Sequence, residues 1–371
     1  MDLFVYGTLR APALMAAVSG GTTPESTSAK LRDFGVFPVE GNVVPFIAKK
    51  DGAVAEGVIY SGVTDAQMER LNLYEGAFGY RLVSVVVETQ TSARDVSCYL
   101  PPDDVAAGEG TWSLAEWEQD HLVPAILAAK EVFSRDPLPS FAALRAMWPM
   151  VEARAWSKHR AQSAPATLRY APNPQDFTFE QARPPDGSFF LFQAVDLKHK
   201  KFDGRTTAAL RREAFYGIDA TIVLPYDPVR DRVLLVEQAR VGPRLRHDPN
   251  PWMLEPVAGI IDARETPEGA ALRECKEEAG LTIKDLLPAG SFYVSPGATT
   301  DYFYTYVGLC DLPKLDVYGG GLAAEAEDLR LHPMAFDAAM ELADSGEIAT
   351  GPALYLLYWL LRHRDRLRAQ A

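Results

Sequence analysis

The sequence predicts an α+β protein of two domains joined by a helical connector. Three observations carry this reading. Short β-type segments broken by Gly and Pro fill residues 1–112, a stretch rich in Ala, Leu, Trp and Glu reads as helices over residues 113–163, and strand patterns return from Phe189 onward. At 371 residues the chain is also long for one domain. Its apolar fraction of 47% lets each part bury a core.

Residues 3–6, 54–60 and 82–88 read as strands, because β-branched and aromatic residues cluster there between Gly and Pro. In the helical stretch, Trp112, Trp117, Trp148 and Trp156 are expected to pack helices between the two domains. Prolines between residues 164 and 185 predict a loop that contains the second boundary. The expected division is therefore 1–112, 113–163 and 164–371. Strands are expected at 189–195, 220–224 and 232–237, with another near 303–309 and a closing helix over about 351–368. The basic run Lys198-His199-Lys200-Lys201 leads into Asp203-Gly204, a turn signal, and reads as a solvated hairpin.

Charge and cysteine content exclude several function classes. A formal net charge of −13 argues against a general nucleic-acid binder. Three cysteines, Cys98, Cys275 and Cys310, are odd in number and far apart, so neither a disulfide framework nor a zinc spacing is present. This suits a reducing cytoplasm. The N-terminus lacks a basic region and a signal-length apolar core, and the longest apolar run, 353–361, is too short to cross a bilayer. A cytoplasmic protein with no membrane partner is expected.

The most demanding pattern runs from Gly259 through Glu265, Arg273, Glu274, Cys275, Glu277 and Glu278 to Gly280. It reads as loop, helix, loop. Spacings of three and four residues place Glu274, Glu277 and Glu278 on one helix face, with Leu272, Cys275 and Ala279 on the opposite, buried side. Three crowded carboxylates repel one another, and a hard divalent cation removes the conflict. The segment resembles the signature box of the Nudix hydrolases, with every fixed position matched. The resemblance implies Glu274, Glu277 and Glu278 as metal ligands, the carbonyl of Ala258 as a further ligand, and Arg273–Glu265 as a structural ion pair. Mg²⁺ is the implied cofactor, with Mn²⁺ a possible substitute.

The likeness extends from about Phe189 to the end, where the chain is similar to the ADP-ribose pyrophosphatase branch. Glu237-Gln238-Ala239-Arg240, Pro251-Trp252-Met253-Leu254-Glu255 and the Ser295-Pro296-Gly297 loop carry it. By that likeness Arg240 contacts substrate phosphate, Glu325 is the catalytic base, and Glu327 joins the metal shell. Glycines 319 to 321 would form a hinge ahead of Glu325. Arg212 and Glu213 align with residues that touch the adenine across a dimer with swapped N-terminal strands, which implies a homodimer through the Nudix domain. ADP-ribose is the implied substrate, cleaved to AMP and ribose 5-phosphate. Hydrolysis of another nucleotide sugar such as GDP-mannose, or ADP-ribose sensing without turnover with the N-terminal domain as the main enzyme, are the alternatives. Relatives linked to tellurite resistance stand near this branch, and the resemblance permits such a role although no residue marks it.

In the N-terminal half, Tyr6-Gly7-Thr8-Leu9 ends a β segment at a tight turn, and Leu73-Tyr74-Glu75-Gly76 follows downstream. A Gly-rich turn can hold a carboxylate through its N–H groups. A lone Glu beside aromatic rings has a raised pKa and can move protons. Together these pieces resemble the γ-glutamylcyclotransferase-like (AIG2-like) fold, a β-barrel with helices, over about residues 2–110. The resemblance implies that Tyr6, Gly7, Thr8 and Leu9 bind the glutamyl end of a substrate and that Glu75 shuttles the proton. For the C-terminal half the implied fold is a Nudix α/β/α sandwich.

Overall fold

The computed structural model describes the whole chain except residues 104, 164–166, 171, 314–317 and 322–327. It divides into two compact units, Met1–Glu213 and Ala214–Ala371.

In the first unit five strands close a barrel: β1 (Leu3–Val5), β2 (Glu25–Pro38), β3 (Pro45–Ser61), β4 (Arg81–Glu88) and β5 (Ala93–Leu100), in the order β1-β3-β2-β4-β5. β1 runs antiparallel to β3 and parallel to β5, which completes the closure and leaves the core strand no free edge. Two helices lie among these strands, α1 (Pro12–Ser19) and α2 (Asp65–Gly76), as a barrel with helices requires, although the residue pattern itself read as β segments. Local signals for both exist. Pro12 occupies the first turn of α1, and Thr64 with Gln67 forms a capping box on α2. The barrel interior packs Phe4, Ile47, Ile59, Val87 and Cys98, while Leu14, Met15, Leu71 and Trp117 seal its outer face against helices.

Two long helices follow, α3 (Leu114–Phe133) and α4 (Phe141–Arg160), each with a serine cap, Ser113 and Ser140. They are tied by a buried ion pair. Arg154 is 1% exposed and meets Glu131 through Nε at 3.1 Å and Nη2 at 2.8 Å. Its Nη1 donates to the Phe189 carbonyl. Trp112, Trp117, His121 and Trp156 form a chain of ring contacts along these helices, and Trp148 meets Tyr74 and Phe78 of the α2 region. The tryptophans thus pack the helices within this unit.

A three-stranded sheet ends the unit: β6 (Phe177–Ala182), β7 (Leu191–His199) and β8 (Leu210–Tyr216), which runs on across the boundary. β6 falls in the stretch expected to be a loop; its proline-free core, Phe177-Thr178-Phe179, pairs with β7 between the flanking prolines. The basic run does form a hairpin, with Gly204 N–H donating to Lys201 O at 2.9 Å, and its lysines pair with Glu180 and Asp176.

The second unit is a layered sandwich. Its sheet comprises β9 (Ala220–Asp227), β10 (Arg232–Ala239), β11 (Trp252–Glu255), β12 (Val257–Ile260), β13 (Asp285–Tyr293), β14 (Tyr302–Leu309), β15 (Tyr318–Gly320) and β16 (Leu329–Ala335). The main order is β13-β14-β9-β10-β16-β15, with β11 on β10 and β12 on β9. A short helix, α5 (Val241–Leu245), follows β10. One face packs α6 (Pro267–Ala279) over Val223, Leu234, Val257 and Leu331; the other packs α7 (Phe336–Ser345) and α8 (Gly351–Ala369) over Ile222, Leu224, Val233 and Leu235. Alternation along β9 and β10 serves both faces at once, so their middles, Ile222 to Leu224 and Val233 to Val236, are apolar on both sides. Arg364 locks α8 down by pairing with Asp231 (Nε–Oδ1 2.8 Å) and Asp337 (2.7 Å) while lying over the Phe336 ring. Among the described residues, no helix is both long and apolar enough to cross a membrane.

The buried pair gives a stability prediction. Arg154→Met leaves the Glu131 carboxylate buried, with Lys158 at 3.6 Å and the charge of Arg135 as its cations among the described residues. Denaturant unfolding should show a loss of about 3–5 kcal/mol. The double change Arg154→Met with Glu131→Leu should recover most of it.

Candidate active sites

In the second unit the site grows from α6. Thr266 caps the helix by accepting the Gly269 N–H at 3.0 Å, Pro267 starts it, and Gly280 at φ +65° ends it. Ala270, Ala271, Cys275, Glu278 and Ala279 form the buried face. Cys275 and Ala279 are buried as expected, while the placement of Leu272 is corrected. Leu272 is 46% exposed, whereas Glu278 is 3% exposed. The small side chains at 271, 275 and 279 let the helix lie close on the sheet, and the 271-275-278 stripe carries one carboxylate inward with it.

β12 meets that face edge-on. The Ala258 N–H donates to Glu278 Oε2 at 3.3 Å, which gives the buried carboxylate a polar partner. Gly259 is required by close approach: a Cβ there would stand 1.9 Å from Glu274 Oε1. Arg273 gathers the rest. Its Nε and Nη2 meet the two Glu265 oxygens at 3.0 and 2.9 Å, Nη1 meets Glu274 at 2.6 Å and Glu277 at 2.9 Å, and Nη2 also reaches the Ile260 carbonyl at 3.1 Å. These bonds, Glu265 first, raise the guanidinium pKa further above its ordinary value. The structure therefore brings Ala258, Glu274, Glu277 and Glu278 to one place, with the Glu265–Arg273 pair beside them.

Among the described residues no three His, Cys, Asp or Glu side chains converge as a ready metal cage. Arg273 supplies the countercharge to Glu274 and Glu277 instead. The donor chemistry still suits a hard cation, since carboxylate oxygens and a backbone carbonyl are the groups Mg²⁺ takes. Glu325 and Glu327 lie outside the described residues. The segment that holds them is bracketed by the β15–β16 pairing of Gly320 with Leu329, and Gly321 N–H donates to the Glu278 carbonyl at 2.9 Å. Its described end is thus fixed to the helix that carries the glutamates.

Other expected contacts are occupied by local partners. Arg240 Nε donates to Glu255 Oε2 at 2.7 Å, joining the ends of β10 and β11. Ser295, Pro296 and Gly297 form an exposed turn in which Ser295 O accepts the Ala298 N–H at 2.9 Å. Arg212 and Glu213 lie on exposed β8; Arg212 bonds the Arg211 carbonyl at 2.8 Å, and Glu213 pairs with Arg211 at 3.3 Å.

In the first unit, Tyr6, Gly7, Thr8 and Leu9 leave β1 in a tight turn closed by Arg10 N–H to Gly7 O at 3.0 Å. The Gly7 position faces Pro45, whose Cγ would be 2.5 Å from a Cβ. Tyr60 from β3 donates to the Leu9 carbonyl at 3.0 Å and holds the turn. Glu75 sits at the end of α2, half-buried. Its charge acts on Tyr6, Tyr74, Tyr80, Tyr99 and Cys98. Desolvation pushes the Glu75 carboxyl up to about 7 and, with Glu75, the Cys98 thiol up to about 12. Tyr99 and Cys98 come from β5, which pairs in parallel with β1 beside the turn; nothing in their local sequence marks them as neighbours of Glu75.

Two outcomes follow. Gly259→Ala should displace the Glu274 carboxylate and weaken binding of Mn²⁺ by at least about tenfold, read by titration of free ion. For Glu75 the fold keeps the proton up to about pH 7, whereas the unfolded chain loses it above about 4.5. Stability from this group therefore falls as pH rises across that window. Glu75→Gln should remove the fall and make the protein more stable than wild type above pH 7, by on the order of 2–3 kcal/mol in urea unfolding.

Comparison with known proteins agrees with both halves. The NUDIX domain family model matches residues 217–343, and the gamma-glutamyl cyclotransferase, AIG2-like model matches residues 3–119. An ADP-ribose pyrophosphatase of Escherichia coli K12 is 37% identical over 180 residues, 48% of this chain and 85% of the relative. The Haemophilus influenzae ADP-ribose pyrophosphatase is 36% identical over 46% of this chain and 80% of its own length. A GDP-mannose pyrophosphatase of Enterobacter is 28% identical over 47% and 88%. The chain belongs to the Nudix family, with an AIG2-like γ-glutamyl cyclotransferase domain fused ahead of its Nudix domain.

Proposed function

We propose that the C-terminal unit is a nucleoside diphosphate sugar pyrophosphatase that hydrolyses ADP-ribose to AMP and ribose 5-phosphate with Mg²⁺. The observation that carries this reading is Glu274 and Glu277 held on the Arg273 guanidinium, with Glu274 against Gly259 and Glu278 bonded to the Ala258 N–H. The 37% identity to an ADP-ribose pyrophosphatase supports the choice of substrate over GDP-mannose, where the relative is 28% identical.

Glu274, Glu277, Glu278 and the Ala258 carbonyl would hold the cation, with Glu327 as an additional ligand. When bound, Mg²⁺ supplies neutralising charge to the phosphate oxygens and a more acidic water. Arg240 then exchanges Glu255 for a substrate phosphate, which its planar fork suits. Glu325 takes the proton from the attacking water. Arg212 and Glu213 address the adenine across a homodimer. The exposed Phe177, Phe179 and Phe192 of the β6–β7 sheet support an apolar contact between copies. Residues 1–112 would act as a second catalytic domain, residues 113–163 as its helical connector and residues 164–371 as the Nudix domain. Three buried free cysteines suit a reducing compartment, and we place the protein in the cytoplasm.

In the first unit the Tyr6–Leu9 turn would bind the glutamyl end of a γ-glutamyl substrate. Glu75, with a pKa of about 7, would accept the α-amine proton and return it to the leaving amine as 5-oxoproline forms.

A substrate panel tests both activities. ADP-ribose, GDP-mannose and dinucleotides are incubated with Mg²⁺ or with chelator. AMP release should be fastest from ADP-ribose and lost with chelator. Glu278→Gln should keep the fold and lose at least about a thousandfold in turnover; near-normal rates in that variant overturn the ligand assignment. Tight ADP-ribose binding without AMP would make the unit a sensor. Separately, γ-glutamyl dipeptides should yield 5-oxoproline with wild type and none with Glu75→Gln.

A further inference from the structure

Thr221 on β9 lies directly across the ladder from Gly259 on β12. Residues paired across an antiparallel ladder project to the same face, with Cβ atoms about 5 Å apart. The face of Gly259 is the one on which Glu274 rests, with Oε1 1.9 Å from the position a Cβ would take. The Thr221 side chain therefore stands next to that carboxylate. Two residues along the same face, Val223 packs with Ala271 and Cys275 of α6, which places Thr221 beneath the helix. Thr221 is 0% exposed, and its hydroxyl has no hydrogen-bond partner among the described residues. A buried hydroxyl without a partner opposes folding, and valine would fill the same space without that cost.

We propose that Thr221 is a positioning residue of the metal site: its hydroxyl, without a partner among the described residues here, donates to the Glu274 carboxylate when a cation binds and sets its rotamer. The inference rests on the metal reading above. Glu274 Oε1 is held at 2.6 Å by Arg273 Nη1. An ionised carboxylate offers about four lone-pair sites, so one carboxylate can serve Arg273, a hydroxyl and a cation together. A donor on the sheet side would add a restraint on the Glu274 carboxylate to the one from Arg273. Thr221 itself would not touch the substrate.

The test compares Thr221→Val and Thr221→Ser with wild type. Mn²⁺ binding is measured by spin-resonance titration of free ion without nucleotide, and thermal melting is measured in chelator. Thr221→Val should bind Mn²⁺ about tenfold more weakly, whereas Thr221→Ser stays within about twofold of wild type. In chelator, Thr221→Val should melt at or above the wild-type temperature. Should Thr221→Val not fold, Thr221→Ala carries the same comparison. Equal Mn²⁺ affinity in the valine or alanine variant overturns the proposal. So does a lower melting temperature in chelator with unchanged affinity, which marks a purely structural hydroxyl. A wild-type protein that takes up no Mn²⁺ overturns the metal reading first and this proposal with it.

Discussion

Arg273 is the interaction on which the C-terminal site depends. Glu274, Glu277 and Glu278 crowd one region of a helix, and Glu265 adds a fourth carboxylate from the preceding loop. Such a set would push itself apart without countercharge. One guanidinium meets three of the four and also bonds the Ile260 carbonyl, so loop and helix share a single planar anchor. Its fork geometry makes lysine a poor replacement, because a point charge cannot satisfy Glu265 in two places while holding Glu274 and Glu277. The fourth carboxylate, Glu278, is buried and takes its partner from the β12 backbone.

The two units place carboxylates by opposite means. Glu274 and Glu277 sit against the guanidinium of Arg273, which supplies a positive charge between them. Glu75 sits among tyrosine rings, where desolvation dominates and its proton is held into the neutral range. One arrangement suits an ionised metal-ligand set; the other suits a group that gains and loses a proton near neutral pH.

The scaffolds hold these groups with further charge pairs at low exposure. Arg364 fastens α8 to the β9–β10 turn through Asp231, and Tyr226 bonds the same carboxylate at 2.9 Å. Arg154 and Glu131 do the equivalent for α3 and α4. Each pair stands at a helix surface that apolar packing alone would leave free to slide, because directional bonds fix register where dispersion contacts do not.

The sequence by itself determined the α+β class, the central strands and the signature helix, because each is written in local spacing; the Arg273–Glu265 pair followed from the resemblance to the Nudix box. Alternation, caps and i, i+4 placement act within a turn or two and need no distant partner. It left α1, α2 and β6 unplaced although Pro12, the Thr64–Gln67 capping box and Phe177-Thr178-Phe179 mark them, because each signal is short and lies among residues that read as β segments or as a loop. Only tertiary structure decided that α6 turns Glu278 inward and Leu272 outward, that β5 brings Tyr99 and Cys98 to Glu75, and that Thr221 pairs with Gly259, against which Glu274 rests. These are consequences of strand pairing between residues far apart in the chain. No local pattern encodes them, because the register that creates each neighbour is set by the whole sheet.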